Sequence, residues 1–227
     1  MARQSGQQCS GRPGVDGGVG DGASHGVREV LAGVAGLEPA DQDVQAGERD
    51  ELVTTLVHDV YTALADAVDA AGEAVSTPDP ADRIRAWATA FRNWSLANPQ
   101  GFRLVYGDPV PGYQPPEGGP APEAARRVCT GLAGLAAAAW PHTQHLYEGS
   151  EFQWSDFDPG LLDKVRPAHP ELPPAGVALA LRIWGHLHGL VSLEVYGHLR
   201  TQTLSPDKLF HAELTQLTRA LGLVPRG

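Results

Sequence analysis

The segment that decides the fold of this chain is Trp184-Gly185-His186-Leu187-His188-Gly189-Leu190-Val191-Ser192-Leu193-Glu194. Its aromatic and aliphatic residues recur at the spacing of a helical turn, and Pro173-Pro174 stands upstream as a helix start. The sequence therefore predicts a long helix from Pro174 to about Leu199. A second helical segment, Arg83–Tyr106, also carries its aromatic residues on one face, so the two segments are expected to bury these faces.

Helical periodicity continues on both sides of these two segments. The clearest example is Arg49–Ala71, in which apolar residues recur every fourth position at Leu52, Leu56, Val60, Leu64 and Val68. The other predicted helices are one that follows Asp79-Pro80 and ends near Asn98, then Pro99–Tyr106, Glu123–Trp140, Pro159–Arg166 and Pro206–Leu221. Residues 107–122 are rich in Gly and Pro and predict a loop. No segment alternates as a strand does, so the predicted fold class is all-α.

The N-terminal region differs in composition from the rest of the chain. Residues 1–26 are rich in Gly, Ser and Gln and are predicted to be disordered, because they hold almost no apolar residues. Residues 27–47 have weak helical spacing that Gly33, Gly36 and Pro39 interrupt. The predicted organisation is therefore two parts, residues 1–48 and residues 49–227.

Composition limits the classes of function. The 227 residues carry a formal net charge of −10, so any contact with nucleic acid needs a local basic patch. The two cysteines, Cys9 and Cys129, have no metal-ligand spacing, and no nucleophile, base and acid can be assembled around Ser192. We therefore expect no enzyme activity, no metal and no cofactor. The absence of a signal pattern or a membrane-length apolar run predicts a cytoplasmic protein without a membrane partner.

Three pieces of sequence, in order, carry a family resemblance. The first is Arg49-Asp50-Glu51-Leu52-Val53-Thr54 at the start of a long helix, the second is Asn98-Pro99-Gln100-Gly101-Phe102-Arg103-Leu104-Val105-Tyr106-Gly107, and the third is Trp184–Glu194. Over residues 49–222 the chain resembles the C-terminal regulatory half of TetR-type transcriptional repressors. The resemblance is to the subgroup whose C-terminal domain carries a Trp-x-x-x-His-Gly helix.

The resemblance implies an inducer-responsive repressor with a TetR-like C-terminal helical bundle. Residues 49–227 would bind a small apolar or amphipathic inducer and form a homodimer, and the inducer would move two DNA-binding heads out of register with an operator. The alternative is a stand-alone helical module that binds a ligand or dimerises without DNA. The two interpretations differ in whether a functional head precedes the bundle.

The expected helix-turn-helix head has no clear counterpart in residues 1–48. Gly36 stands where the turn glycine of the family would be, but the family's aromatic residues are missing and Asp41, Asp43 and Glu48 stand where neutral or basic residues are expected. Three Arg against seven acidic residues give this region a net charge of −4. Because phosphate contacts dominate affinity for DNA, operator DNA is an expected partner only if an intact head exists. Either the head has decayed or the N-terminus is misread at gene level.

Two sets of residues are candidates for function within the bundle. The first would line an inducer cavity or form plain core, and its members are Trp87, Phe91, Trp94, Phe102, Tyr106, Trp140, Trp184 and His188. In this set His188 either supplies a polar contact to the ligand or is a satisfied core histidine. The second set would form the dimer interface, and its members are Val177, Leu181, Gly189, Leu193, Leu209, Leu214 and Leu217.

Overall fold

The computed structural model describes residues 39–116 and 119–223, with side chains from residue 47 onward. Over these residues the chain forms helices and turns without any strand, which confirms the all-α prediction. Contacts between Cα atoms divide the chain into two units, Met1–Glu48 and Arg49–Gly227, and the packing described below is that of the second unit. The predicted disordered tail lies outside the described residues.

Seven α-helices follow one another along the described chain. Their bounds are α1 Pro39–Glu73, α2 Pro80–Ala97, α3 Pro99–Tyr106, α4 Pro120–Thr143, α5 Pro159–Ala168, α6 Pro174–Val195 and α7 Pro206–Ala220. Two short 3₁₀ turns, Gln144–Tyr147 and Trp154–Asp156, lie between α4 and α5.

Each of these seven helices begins with a proline. Proline is suited to this position because its φ is already helical and the N–H that it lacks would have no partner there. Two starts are capped further, since the Asp79 carboxylate accepts from the Ala81 N–H and the Asp158 carboxylate accepts from the Gly160 N–H, both at 2.8 Å.

The largest differences from the predicted helix boundaries are at the start of α1, at the start of α4 and at the end of α6. Helix α1 begins at Pro39, ten residues before the predicted start at Arg49. Helix α4 begins at Pro120, three residues before the predicted start. Helix α6 ends at Val195 instead of Leu199, because Gly197 takes the left-handed conformation with φ of +80° and turns the chain away.

The main hydrophobic core forms where α2 and α6 pack against each other and against α4 and α7. Its fully buried members include Leu64, Ile84, Phe91, Leu179, Ile183 and Leu187. Helix α1 joins this core from Leu64 onward, whereas Leu52 and Leu56 near its start are 59% and 45% exposed. A smaller core around Phe157 and Val165 holds the segment between α4 and α6 in place.

A buried arginine ties three helices together. The Arg92 side chain on α2 is 7% exposed and donates from Nε and Nη2 to the two carboxylate oxygens of Glu194 on α6, each at 2.7 Å. Nη2 also donates to Asp207 on α7 at 2.7 Å, and the guanidinium lies 4.9 Å from the centre of the Phe210 ring. Glu194 also stands four residues before His198, a spacing typical of a solvated or interfacial pair on a helix, but its carboxylate faces Arg92 instead.

Helix α6 is long and apolar enough to cross a membrane, judged by length and composition alone. This differs from the prediction that the chain has no apolar run of membrane length. The buried side chains Ile183, Leu187 and Val191 of this helix belong to the main core. The core therefore explains the apolar residues on this face of the helix.

The two acidic partners of Arg92 predict very different effects on stability. Glu194→Gln should lower the free energy of unfolding by about 3 kcal/mol, because it leaves the buried guanidinium without its main counter-charge. Asp207→Asn removes a carboxylate at the same 2.7 Å distance, but its side chain is 77% exposed, so the loss should stay below about 1 kcal/mol. Urea unfolding of both variants measures the difference, and equal losses would contradict it.

Candidate functional site

The aromatic faces of α2 and α6 meet as the sequence predicted. The Phe91 and Trp184 ring centres are 5.4 Å apart, and Trp184 in turn lies 5.3 Å from Tyr106 of α3. His188 follows one helical turn after Trp184, with 4.8 Å between the two ring centres. Side chains from three helices therefore form one continuous aromatic cluster.

One half of this cluster is solid core. Phe91 and Phe102 are fully buried, Trp87 is 3% exposed, and the Trp87 and Phe91 rings stack with 5.4 Å between their centres. Such close packing leaves no room for a ligand among these three rings. Of the two alternatives for them, the core interpretation fits the geometry.

The other half of the cluster borders a cavity of about 220 Å³ that is partly open to solvent. Two of the predicted residues, Tyr106 and Trp184, form part of its wall. The full set of lining residues is Tyr61, Tyr106, Ala125, Val128, Cys129, Leu132, Leu181 and Trp184. The cavity thus lies between α1, α3, α4 and α6.

Two predicted aromatic residues do not reach this cavity. Trp94 lies against α3, where its ring is 3.5 Å from the position that a Cβ would take at Gly101. Trp140 packs on Tyr147 with 5.6 Å between ring centres. The aromatic set is therefore divided between core, cavity wall and two separate contacts.

The contribution of α4 to the cavity was not predicted from the sequence. Ala125, Val128 and Leu132 follow one another at helical spacing, so they share one face of that helix. This spacing predicts that the three residues share a buried face. It does not predict a cavity, because small side chains do not indicate whether a neighbouring helix fills the space beside them.

His188 lies behind the cavity wall. Its ring stacks on Phe102 at 5.5 Å and meets the edge of Tyr106 at 5.2 Å, while Nδ1 is 3.4 Å from the Ser192 hydroxyl. Burial lowers the pKa of the His188 imidazole, because the charged form loses its hydration there. His188 is therefore neutral at pH 7, and it supports the cavity wall without lining it.

The polar groups of the cavity wall are also uncharged. Burial raises the pKa of the Tyr61 phenol, of the Tyr106 phenol and of the Cys129 thiol, so all three keep their protons at neutral pH. The Tyr61 hydroxyl donates to the Val105 carbonyl at 3.4 Å, which links α1 to α3. Within the described part of the chain, no three His, Cys, Asp or Glu side chains are placed to hold a metal ion.

The residues predicted for a dimer interface divide by exposure. Val177, Leu214 and Leu217 are only 1%, 3% and 4% exposed within one chain, so they have no surface to offer a second copy. This part of the prediction is corrected: periodicity marked these residues as apolar, but the core of their own bundle covers them. Leu181 and Leu193 are 44% and 43% exposed.

The remaining predicted interface residues are accessible. A Cβ added at Gly189 would meet nothing within 4 Å, as at Gly185 one turn earlier, and Leu209 on α7 is half-buried. Leu181, Gly185, Gly189 and Leu193 are all exposed and follow one another at every fourth residue of α6. The interface itself stays a prediction.

The His188 environment predicts a pH dependence of stability. The folded-state pKa lies below the unfolded value of about 6.5, so around pH 6 the unfolded chain binds more protons. The contribution to stability is complete above that value and is lost as the pH falls through the folded-state pKa. His188→Phe, which keeps a ring in the stack, should lose less unfolding free energy than the wild type between about pH 7.5 and about pH 5.5 in urea titrations. An equal loss of unfolding free energy in the variant and the wild type would show that His188 is not the source of the pH dependence.

The chain also resembles proteins that are already known. Residues 84–217 match the family profile described as the C-terminal domain of tetracyclin repressor-like proteins. The HTH-type transcriptional regulators Rv1816 of Mycobacterium tuberculosis and Mb1846 of Mycobacterium bovis are each 32% identical over 176 residues. These matches cover 76% of this chain and 74% of each relative.

Solved structures share the architecture. The crystal structure of SCO4313, named as a regulatory protein, covers 83% of each chain at 27% identity with a TM-score of 0.56. A protein of unknown function from Rhodococcus sp. RHA1 covers 89% of this chain and 88% of its own at 18% identity, with a TM-score of 0.53, which shows a shared fold alone.

The assignment to the Trp-x-x-x-His-Gly subgroup stays a prediction. The family itself is shown by the profile, which matches more than half of the chain, and by relatives above 30% identity. The all-helical bundle described above agrees with it. The chain belongs to the tetracyclin repressor-like (TetR) family of transcriptional regulators.

Proposed function

We propose that this chain is a ligand-responsive TetR-family regulator in which residues 49–227 form the ligand-binding and dimerisation domain. The observation that carries the proposal is the 220 Å³ cavity, whose wall includes Tyr61 of α1 and Tyr106 at the end of α3. A small apolar or amphipathic molecule fits the mostly aliphatic and aromatic lining. A bound molecule would contact α1 and α3 at the same time.

The loop that follows α3 connects the cavity wall to residues 49–54 of α1. Tyr106 is directly followed by residues 107–116, and this loop returns to α1 at two points. The Arg49 guanidinium donates to the Pro111 carbonyl, and the hydroxyls of Thr54 and Tyr113 are 2.9 Å apart. A shift of Tyr106 would therefore act on α1 both through Tyr61 and through these two hydrogen bonds.

The mechanism that we propose is a shift between two populations of the bundle. A ligand that fits one position of α1 better than another would favour that position in both copies of a dimer. A complete dimeric regulator binds two operator half-sites that lie about one DNA turn apart. A small rotation of α1 would therefore move the two heads out of register with these half-sites. We place this protein in the cytoplasm, where an operator would be accessible.

A second copy of the chain is the partner that we propose for the open face of α6. Leu181, Gly185, Gly189 and Leu193 follow at every fourth residue, which gives an apolar stripe with two glycines. Leu209 extends the stripe onto α7. Glycine lets two helices approach closely, and a symmetric pair of such faces would form a four-helix interface.

Binding to DNA separates this proposal from the alternative of a stand-alone module. Residues 1–48 carry three Arg against seven acidic residues, so a head made from them would bind phosphate poorly. A gel shift with the DNA that flanks the gene compares the two. A sequence-specific, salt-sensitive complex favours a complete repressor, whereas binding of ligand without any such complex favours the module.

The cavity proposal predicts that filling the space removes the ligand response. In the wild type, a ligand at tenfold its dissociation constant should stabilise the bundle by about 1.4 kcal/mol. Ala125→Leu adds a larger side chain to the cavity wall and should abolish most of this effect. Ala138→Leu is the matched control on the same helix, because Ala138 is similarly half-buried but does not line the cavity.

Thermal unfolding with and without a panel of single-ring apolar compounds measures this response. The two variants are compared at equal ligand concentration. A response that survives Ala125→Leu would move the ligand site elsewhere and would contradict the proposed function of the cavity.

The interface proposal predicts a change in assembly. Leu193→Arg should convert the dimer to monomers, because a symmetric contact would bring two unpaired guanidinium groups together in an apolar interface. Leu146→Arg is the control, since Leu146 is 47% exposed against 43% for Leu193 and lies in the 3₁₀ turn after α4. Light scattering after gel filtration gives the mass of both, and a Leu193→Arg dimer would place the interface on another surface.

A further inference from the structure

We propose that the cavity between α1, α3, α4 and α6 selects uncharged ligands the size of a substituted single ring, with a hydrogen-bond acceptor, and rejects carboxylates and ammonium ions of that size. The inference rests on the proposed function, since the cavity must first be a ligand site. It goes further by fixing the charge, the size and the polar chemistry of the ligand.

The lining itself provides no counter-charge. Its eight residues are aliphatic, aromatic or a thiol, and none of them is an acid, a lysine, an arginine or a histidine. The charged residues that join α1 to α4 lie outside the cavity and are paired with each other: Arg127 donates to Asp66 at 3.0 Å and to Asp69 at 2.8 Å. An ion within the cavity would have to give up part of its hydration without gaining a charged partner.

The raised pKa of Cys129 indicates that the cavity wall disfavours a negative charge. Two influences act on its thiol: burial raises the pKa, and the positive charge of Lys164 lowers it. Burial is the larger of the two, so the thiolate is disfavoured even with a cation in the neighbourhood. A ligand carboxylate at the same wall would meet the same loss of hydration and the same weak attraction.

Burial raises the pKa of the phenols in the cavity wall, as it does for the Cys129 thiol. Burial is the main cause that raises the pKa of Tyr106 well above its usual range, and the neighbouring Tyr61 and Cys129 add to it. Three separate groups around one space therefore all keep the neutral form. The site disfavours anions at more than one point of its surface.

The cavity also offers a positive charge no acidic partner. None of its eight lining residues is an acid, so an ammonium ion could gain only the attraction of the aromatic rings. That attraction is weaker than the hydration that the ion would lose. Behind the wall, His188 packs against Tyr106 and Trp184 with ring centres 5.2 Å and 4.8 Å away, and burial lowers its pKa in the same way.

The volume limits the ligand to about one ring. An apolar cavity of about 150 Å³ holds benzene in a well-studied engineered protein, so a space of about 220 Å³ holds a ring with a short substituent. The polar part of that substituent meets the Tyr106 hydroxyl and the Cys129 thiol, which are both proton donors in their neutral forms. An ester, amide, ketone or ether oxygen is the group that matches them.

The test uses four small molecules of similar shape on the full-length chain. Methyl benzoate and benzamide are uncharged acceptors, whereas benzoate and benzylammonium carry opposite charges at about pH 7.5. We expect the two uncharged compounds to bind at least about tenfold more tightly than either ion in calorimetric titrations. Ala125→Leu should abolish this binding and Ala138→Leu should preserve it.

The outcomes separate this inference from the proposed function. If the ions bind as well as the uncharged compounds, and Ala125→Leu abolishes all binding, the selectivity is wrong and the ligand site stands. If none of the four compounds binds, or if binding ignores Ala125→Leu, both proposals are overturned. Preference for the uncharged pair with sensitivity to Ala125→Leu supports both.

A second variant tests the acceptor requirement without relying on the cavity-filling change. Tyr106→Phe keeps the ring in the wall and removes one donor, so methyl benzoate should bind roughly fivefold more weakly. Ethylbenzene, which has no acceptor, should bind the variant and the wild type equally. Equal losses for the two compounds would show a change in packing and would overturn the assignment of Tyr106 as the donor.

Discussion

The buried cation Arg92 is the contact that sets the arrangement of the helices in this bundle. Arg92 joins α2 to α6 through two hydrogen bonds to Glu194 and reaches α7 through Asp207. Because a guanidinium and a carboxylate meet in one planar geometry, this contact fixes how far α6 can slide or rotate along α2. A buried ion pair adds little net stability compared with apolar packing, so we infer that its main effect is on register.

That register determines which rings meet further along the same two helices. Phe91 precedes Arg92 directly, and its ring contacts Trp184, which in turn contacts Tyr106. On the other side of this row, Trp87 is 3% exposed and Phe102 is fully buried. On the α4 side, small residues such as Ala125 and Cys129 face Tyr61 and leave the cavity open.

The helices could be predicted from the sequence much better than the site. Local signals sufficed for α3, which spans Pro99–Tyr106 as predicted, because proline, apolar spacing and glycine mark both of its ends. The cavity depends on small side chains in helices that are distant in sequence, and periodicity gives no volume for the space between them. Likewise, the contact of Arg92 with a residue 102 positions away leaves no local pattern. Periodicity also failed to separate Leu217, which the core covers, from Leu193, which it does not.

The composition of α6 follows from its three different environments. Ile183, Leu187 and Val191 lie in the core, and Trp184 and His188 belong to the aromatic cluster. A soluble helix normally keeps its third face polar, and a helix that is apolar on all sides is either buried or spans a membrane. Here the third face consists of Leu181, Gly185, Gly189 and Leu193, and nothing in the described part of the chain covers it. Burial against a second copy would explain this face without a membrane, and it would set the cavity residue Leu181 at the edge of the contact, where a ligand and a partner could each influence the other.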